Sequence, residues 1–64
     1  MTLTPRQQTV LELTADGLKR DEVARQMYVS LETVKTHLQD ARQTLGARTT
    51  AQAVAVAFRQ GLIQ

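Results

Sequence analysis

An all-α fold of four helices follows from three features of this 64-residue chain. Its single Pro and three Gly residues stand at segment boundaries rather than inside segments. Between them, apolar residues recur at three- and four-residue spacing, and no run of strict alternation favours a strand. A hydrophobic share of 42%, with one Tyr, one Phe and no Trp, makes the core aliphatic, built from Leu, Val and Ala. The length leaves room for one domain, residues 1–64, and a chain of this size buries only about 60% of the surface its unfolded form exposes.

The first helix starts at Thr4-Pro5-Arg6-Gln7, with Thr4 as N-cap, Pro5 at the first helical position and Gln7 placed to close a capping box. Gly17 ends it. Gln7, Val10, Leu11 and Thr14 share its inner face, with Leu13 at the edge. The second helix spans about Arg20 to Met27, with Val23, Ala24 and Met27 inward and Asp21 and Glu22 in the first turn, where the helix dipole favours acids. Lys19 and Arg20 occupy the places where Ser, Thr or Asn would cap best, so a fraying start is expected. Glu22 is expected to pair with a basic neighbour.

Tyr28 and Val29 make a brief connection before Ser30, the N-cap of the third helix. Val29 and Val34 then take the N′ and N4 places of a hydrophobic staple. Taking ~100° per residue from Val34, Leu38, Ala41 and Leu45 fall within about 40° and form the core stripe. Arg42, Lys35, Gln39, Gln43 and Thr36 span roughly 80° to 200° and form an outward polar face. His37 falls at the edge of the stripe, where a packed histidine hydrogen-bonded to a neighbouring helix is expected ahead of a phosphate donor or proton shuttle. Gly46 ends the helix in a left-handed conformation.

The fourth helix begins at "TTAQ", where Thr49 and Gln52 are placed for a further capping box, and runs to about Gln60 before Gly61. Ala53, Ala57 and Val56 make one apolar face, and Val54, Phe58 and Ala51 a second, roughly opposite. That is more apolar surface than a monomer of this size easily buries.

Several function classes drop out. With no Cys and one His, neither a disulfide, a thiolate zinc site nor a metal cluster is available, and no cofactor is expected. Carboxylates lie mostly on separate helix surfaces, there is no Gly-rich phosphate loop, and the His has no partnered nucleophile, so no enzyme is expected. No apolar run approaches the ~20 residues that span a bilayer, and "MTLTPRQQTV" lacks the order of a signal peptide. The expectation is a soluble protein of the cytoplasm. The chain fits either a complete small regulator or the C-terminal part of a longer one.

Net charge is +2, from eight Lys and Arg against six Asp and Glu, but it is unevenly divided. Residues 1–34 carry four cations against five acids, whereas residues 35–64 carry four (Lys35, Arg42, Arg48, Arg59) against Asp40 alone. That skew permits a polyanionic partner without requiring one.

A short helix, a tight connection and a longer capped helix with an outward polar face describe a helix-turn-helix. The chain resembles the LuxR-type (GerE) DNA-binding domain over nearly all its length. The matching stretches are "LTPRQQTVL", "ADGL", "EVA", "VS-ETVK-HL", "LGAR", and "A-AV" followed by "GLI". It departs from the common pattern at Gln7 and Thr9, near Lys19 and Arg20, and at Gln43 and Thr44, where the family often carries Lys.

The resemblance implies sequence-specific binding of double-stranded DNA in transcription control, with the third helix in the major groove. The family's base-reading places fall on Lys35, Thr36 and Gln39. Lys suits guanine O6 and N7, Gln suits adenine N6 and N7, and the Thr methyl suits a thymine methyl. A plain phosphate contact competes with base reading at Lys35. Lys19, Arg20, Tyr28, Ser30, Thr33 and Arg42 are the candidates for phosphate contact. At Tyr28, packing over the turn competes with that role, and at Arg48 a fold-supporting bond to a carboxylate or helix end competes with it. A homodimer on DNA through Val54 and Phe58 of the fourth helix is implied, with RNA polymerase as a further partner. The rival reading is a helical protein-interaction or dimerisation module that keeps the fold without reading DNA. A sigma-factor helix-turn-helix fits "LTPR" and the fourth helix less well.

Overall fold

The computed structural model describes residues 3–64, which form four α-helices: α1 (Pro5–Ala15), α2 (Arg20–Met27), α3 (Leu31–Leu45) and α4 (Thr50–Arg59). Among the described residues there is no strand.

Each helix starts where a side chain satisfies backbone N–H groups that have no partner within the helix. Thr4 Oγ1 accepts the Gln7 N–H at 3.1 Å and Gln7 Oε1 accepts the Thr4 N–H at 3.2 Å, a complete capping box for α1. At α3, Ser30 Oγ accepts the Thr33 N–H at 3.1 Å. The start of α2 has only the return half of a box, because a Lys19 ammonium cannot accept, and Glu22 Oε1 takes the Lys19 N–H at 2.8 Å. Glu22 thus supports the fold through a backbone bond rather than through the ion pair expected of it. At α4, Thr49 Oγ1 accepts the Gln52 N–H at 3.0 Å, but Gln52 Oε1 reaches past Thr49 to the Arg48 N–H at 2.7 Å. Thr49 is more extended, at φ −133°, than the other three caps at φ −73° to −75°, which turns its own N–H away from Gln52.

The helices end alike. A residue at positive φ follows each one: Gly17, Tyr28, Gly46 and Gly61. The next residue then donates its N–H back five places, from Leu18 to Leu13 (3.2 Å), Val29 to Ala24 (3.0 Å), Ala47 to Arg42 (2.8 Å) and Leu62 to Ala57 (2.8 Å). All four of those donors pack against the core, the apolar contact that accompanies this kind of helix end. Gly46 takes φ +67° without a Cβ to oppose it, but Tyr28 takes φ +58° with one, a conformation that costs an L-residue roughly 1–2 kcal/mol.

The core joins Val10 and Leu11 of α1, Val23 and Ala24 of α2, Val34, Leu38 and Ala41 of α3, Ala53 and Ala57 of α4, and Ile63. Helix α3 is central, packed on α1, α2 and α4, while α2 and α4 flank it without packing on each other. Fourth-helix packing departs from expectation. Ala53 and Ala57 are buried, but Val56, grouped with them on one face, lies outside the core cluster, whereas Val54, grouped with Phe58 and Ala51 on the other, is half-buried against it. At ~100° per residue Val54 lies only about 60° from Ala57, so it borders the buried stripe instead of opposing it. No helix among the described residues is long and apolar enough to cross a membrane.

Candidate nucleic-acid interface

The turn at Tyr28 and Val29 sets α2 against α3 so that Val34, Leu38 and Ala41 are buried and the opposite side of α3 faces out. On that side Lys35, Thr36 and Gln39 are all exposed. Lys35 Nζ lies 3.6 Å from Glu32 Oε1 one turn earlier, an exposed pair of the kind that exchanges partners at little cost.

Of the other expected contacts, Arg20 and Arg42 lie beside this edge, whereas Tyr28 borders a separate hollow with Leu18, Glu22, Arg25 and Gln26. Ser30 is exposed and Thr33 half-buried, and their hydroxyl oxygens are 2.8 Å apart, so both serve the α3 cap. Lys19 and Arg20 are exposed at the start of α2, and neither forms an ion pair among the described residues. Tyr28 is 95% exposed, which removes the packing role considered for it. Arg42 is half-buried, and its Nη1 donates to the Arg48 carbonyl oxygen at 3.4 Å, holding the guanidinium beside the α3–α4 connection. Arg48 supports the fold through its backbone: that carbonyl and an N–H bonded to Gln52, while its guanidinium forms no ion pair among the described residues.

Four of these side chains border one concavity. Arg20 from α2 and Lys35, Gln39 and Arg42 from α3 line an open cleft of about 280 Å³, closed by Leu38 and by Thr50 of α4. This cleft is the gap left where α2 and α4 flank α3 without touching. Three cations and two uncharged polar groups around one concavity make a seat suited to an anionic group such as phosphate. Thr50 was missed from sequence. The available signal was the doubled Thr49-Thr50, one residue capping α4 and the next free to face the basic side of α3.

Two expectations are corrected here. His37 is half-buried as expected, but its ring makes no hydrogen bond among the described residues. Of the two interface candidates on α4, Phe58 is 47% exposed, while Val54 is half-buried in its own core and offers less surface than the wheel suggested. No group of three or more His, Cys, Asp or Glu is placed to hold a metal ion among the described residues.

The comparisons with known proteins agree with this geometry. A family model described as "Bacterial regulatory proteins, luxR family" matches residues 1–57. The chain is 39% identical over 61 residues to the uncharacterized transcriptional regulatory protein YxjL of Bacillus subtilis (strain 168), covering 95% of this chain and 28% of YxjL. It is 37% identical over 62 residues to the response regulator protein VraR of Staphylococcus aureus (strain Mu3 / ATCC 700698), covering 97% of this chain and 30% of VraR. The chain thus spans less than a third of these curated relatives. Among solved structures, the transcription factor GerE superposes with a TM-score of 0.93 at 25% identity, over 100% of this chain and 97% of that one. ChrA, the response regulator of a heme-sensing two-component system, superposes with a TM-score of 0.92 at 32% identity, over 98% of this chain and 31% of that one. With the helix order, the caps and the outward edge of α3 already in place, these matches mean that the chain belongs to the luxR family of bacterial regulatory proteins, as a four-helix helix-turn-helix domain of the DNA-binding, transcription-regulating kind.

Proposed function

We propose that residues 1–64 act as one sequence-specific double-stranded DNA-binding unit with α3 in the major groove and no catalytic activity of its own. Lys35, Thr36 and Gln39 read base edges. Lys19, Arg20, Tyr28, Ser30, Thr33 and Arg42 hold phosphates, and Thr50 joins them across the cleft. The single observation that carries this reading is the convergence of Arg20, Lys35, Gln39 and Arg42 on one open cleft beside the exposed edge of α3.

Phe58, with Val54 at its margin, supports pairing of two copies on DNA through α4. Since the relatives are longer regulators, the chain corresponds to their DNA-binding part, working in the cytoplasm with RNA polymerase as a further contact. Selection of bound duplexes from a random pool, followed by titration of the winner at two salt concentrations, tests the proposal. A defined winning sequence is expected, with a log–log salt slope of about 0.9 per phosphate neutralised. Binding that selects no sequence and ignores salt would leave the interaction-module reading in its place.

A further inference from the structure

The outward face of α3 contains one acid at its centre, Glu32. On the same wheel, at ~100° per residue from Val34, Glu32 falls near 160°, between Gln39 near 140° and Gln43 near 180°. Lys35 and Thr36 lie in the same arc. The Glu32 side chain is 85% exposed, and its only ion-pair partner among the described residues is Lys35, at 3.6 Å. It stands in the first turn of α3, the end of a recognition helix that comes nearest to base edges.

A carboxylate in that position only accepts hydrogen bonds, and phosphates repel it. In the major groove guanine offers O6 and N7, and thymine offers O4, all acceptors that repel it as well. Adenine offers its N6 amine beside the N7 acceptor, so a carboxylate gains one contact and meets one repulsion. Cytosine offers its N4 amine with no adjoining acceptor of its own. Lys35 has the opposite demand and suits the O6 and N7 of guanine. A carboxylate and an ammonium 3.6 Å apart therefore match the donor and acceptors that a G·C pair presents side by side.

We infer that Glu32 is a specificity-determining residue that accepts from cytosine N4, while Lys35 turns from Glu32 to guanine as the duplex enters. This rests on the DNA-binding reading above. A merely structural Glu32, favouring the positive end of α3 and pairing with Lys35, would leave the ranking of bases untouched.

The test is duplex selection with the unaltered chain, Glu32→Gln and Glu32→Ala, with thermal midpoints measured alongside. The unaltered chain should select cytosine at one position of each half-site. Glu32→Gln should move that position toward adenine, because a Gln amide matches adenine N6 and N7. Glu32→Ala should level it, with a loss of discrimination of roughly five-fold or more at that position and little change elsewhere. If both variants keep the original base ranking and only bind all duplexes more tightly, Glu32 acts as a charge alone and the inference fails while the DNA-binding reading stands. If the unaltered chain selects no sequence, both fall together.

Discussion

Ser30 Oγ stands 2.8 Å from Thr33 Oγ1 and also accepts the Thr33 N–H at 3.1 Å, so one hydroxyl closes the first turn of α3 and fixes a second hydroxyl beside it. Ser30→Ala should lower stability by about 0.5–2 kcal/mol, the usual loss for such a cap. Ser30→Asp should restore the cap, since an Asp carboxylate accepts from the same N–H, yet bring a negative charge to the place proposed for a phosphate contact. Thermal denaturation and DNA titration should therefore separate for this variant, with stability recovered and affinity lowered. Equal stability of Ser30→Ala and the unaltered chain would remove Ser30 as the cap.

Arg42 and Gln39 sit on one cleft but should fail differently. The Arg42 guanidinium is held by the Arg48 carbonyl at 3.4 Å, near the α3–α4 connection, whereas Gln39 lies with Lys35 and Thr36 on the exposed edge proposed to read bases. Arg42→Ala should weaken all duplexes alike and reduce the salt slope by about 1. Gln39→Ala should instead relax preference at one operator position by ~1–3 kcal/mol. Uniform losses from Gln39→Ala across every operator position would reassign it to a phosphate.

The contrast between these residues also shows what was legible in advance. Cap residues and core stripes were readable because they depend on neighbours within one turn: Thr4 with Gln7, Ser30 with Thr33, Val34 with Leu38 and Ala41. The cleft depends on how far α2 and α4 stand apart on α3, which no local spacing encodes, and so Thr50 was invisible while Arg20, Lys35 and Arg42 were found as separate cations. Gln52 bonding to Arg48 instead of Thr49 turns on one backbone angle. Val54 failed for a related reason: its wheel angle lies between the faces, and the packing of α1 and α3 around α4 decides which side claims it.

Tyr28 combines a left-handed backbone, φ +58°, with a side chain that is 95% exposed. Packing therefore gives no reason for a large residue there, while backbone preference favours Gly. Tyr28→Gly should raise stability by up to about 1 kcal/mol, the relief of strain being partly offset by the greater freedom of Gly in the unfolded chain. The same variant should bind DNA more weakly, since the phosphate contact proposed for the Tyr28 hydroxyl is lost. Unchanged affinity with higher stability would show that Tyr28 has no part in binding.

Phe58 is 47% exposed on an α4 stripe that also carries the exposed Ala51 and Ala55, three positions spaced to lie on one side of the helix. Small residues around one aromatic let a second α4 approach closely, so Phe58 is the side chain through which two copies would gain most by pairing. Two half-sites about 10 bp apart, or a multiple of that, should then bind two copies cooperatively, because both copies lie on one side of the duplex. Inserting half a helical turn between the half-sites should abolish that cooperativity by moving the copies to opposite sides. Phe58→Ser should do the same with the original spacing, while leaving affinity for a single half-site unchanged and costing stability about 1–2 kcal/mol for the packed half of the ring. Cooperativity that survives Phe58→Ser but not the insertion would place the contact between copies elsewhere, because the insertion tests geometry and the substitution tests this helix alone.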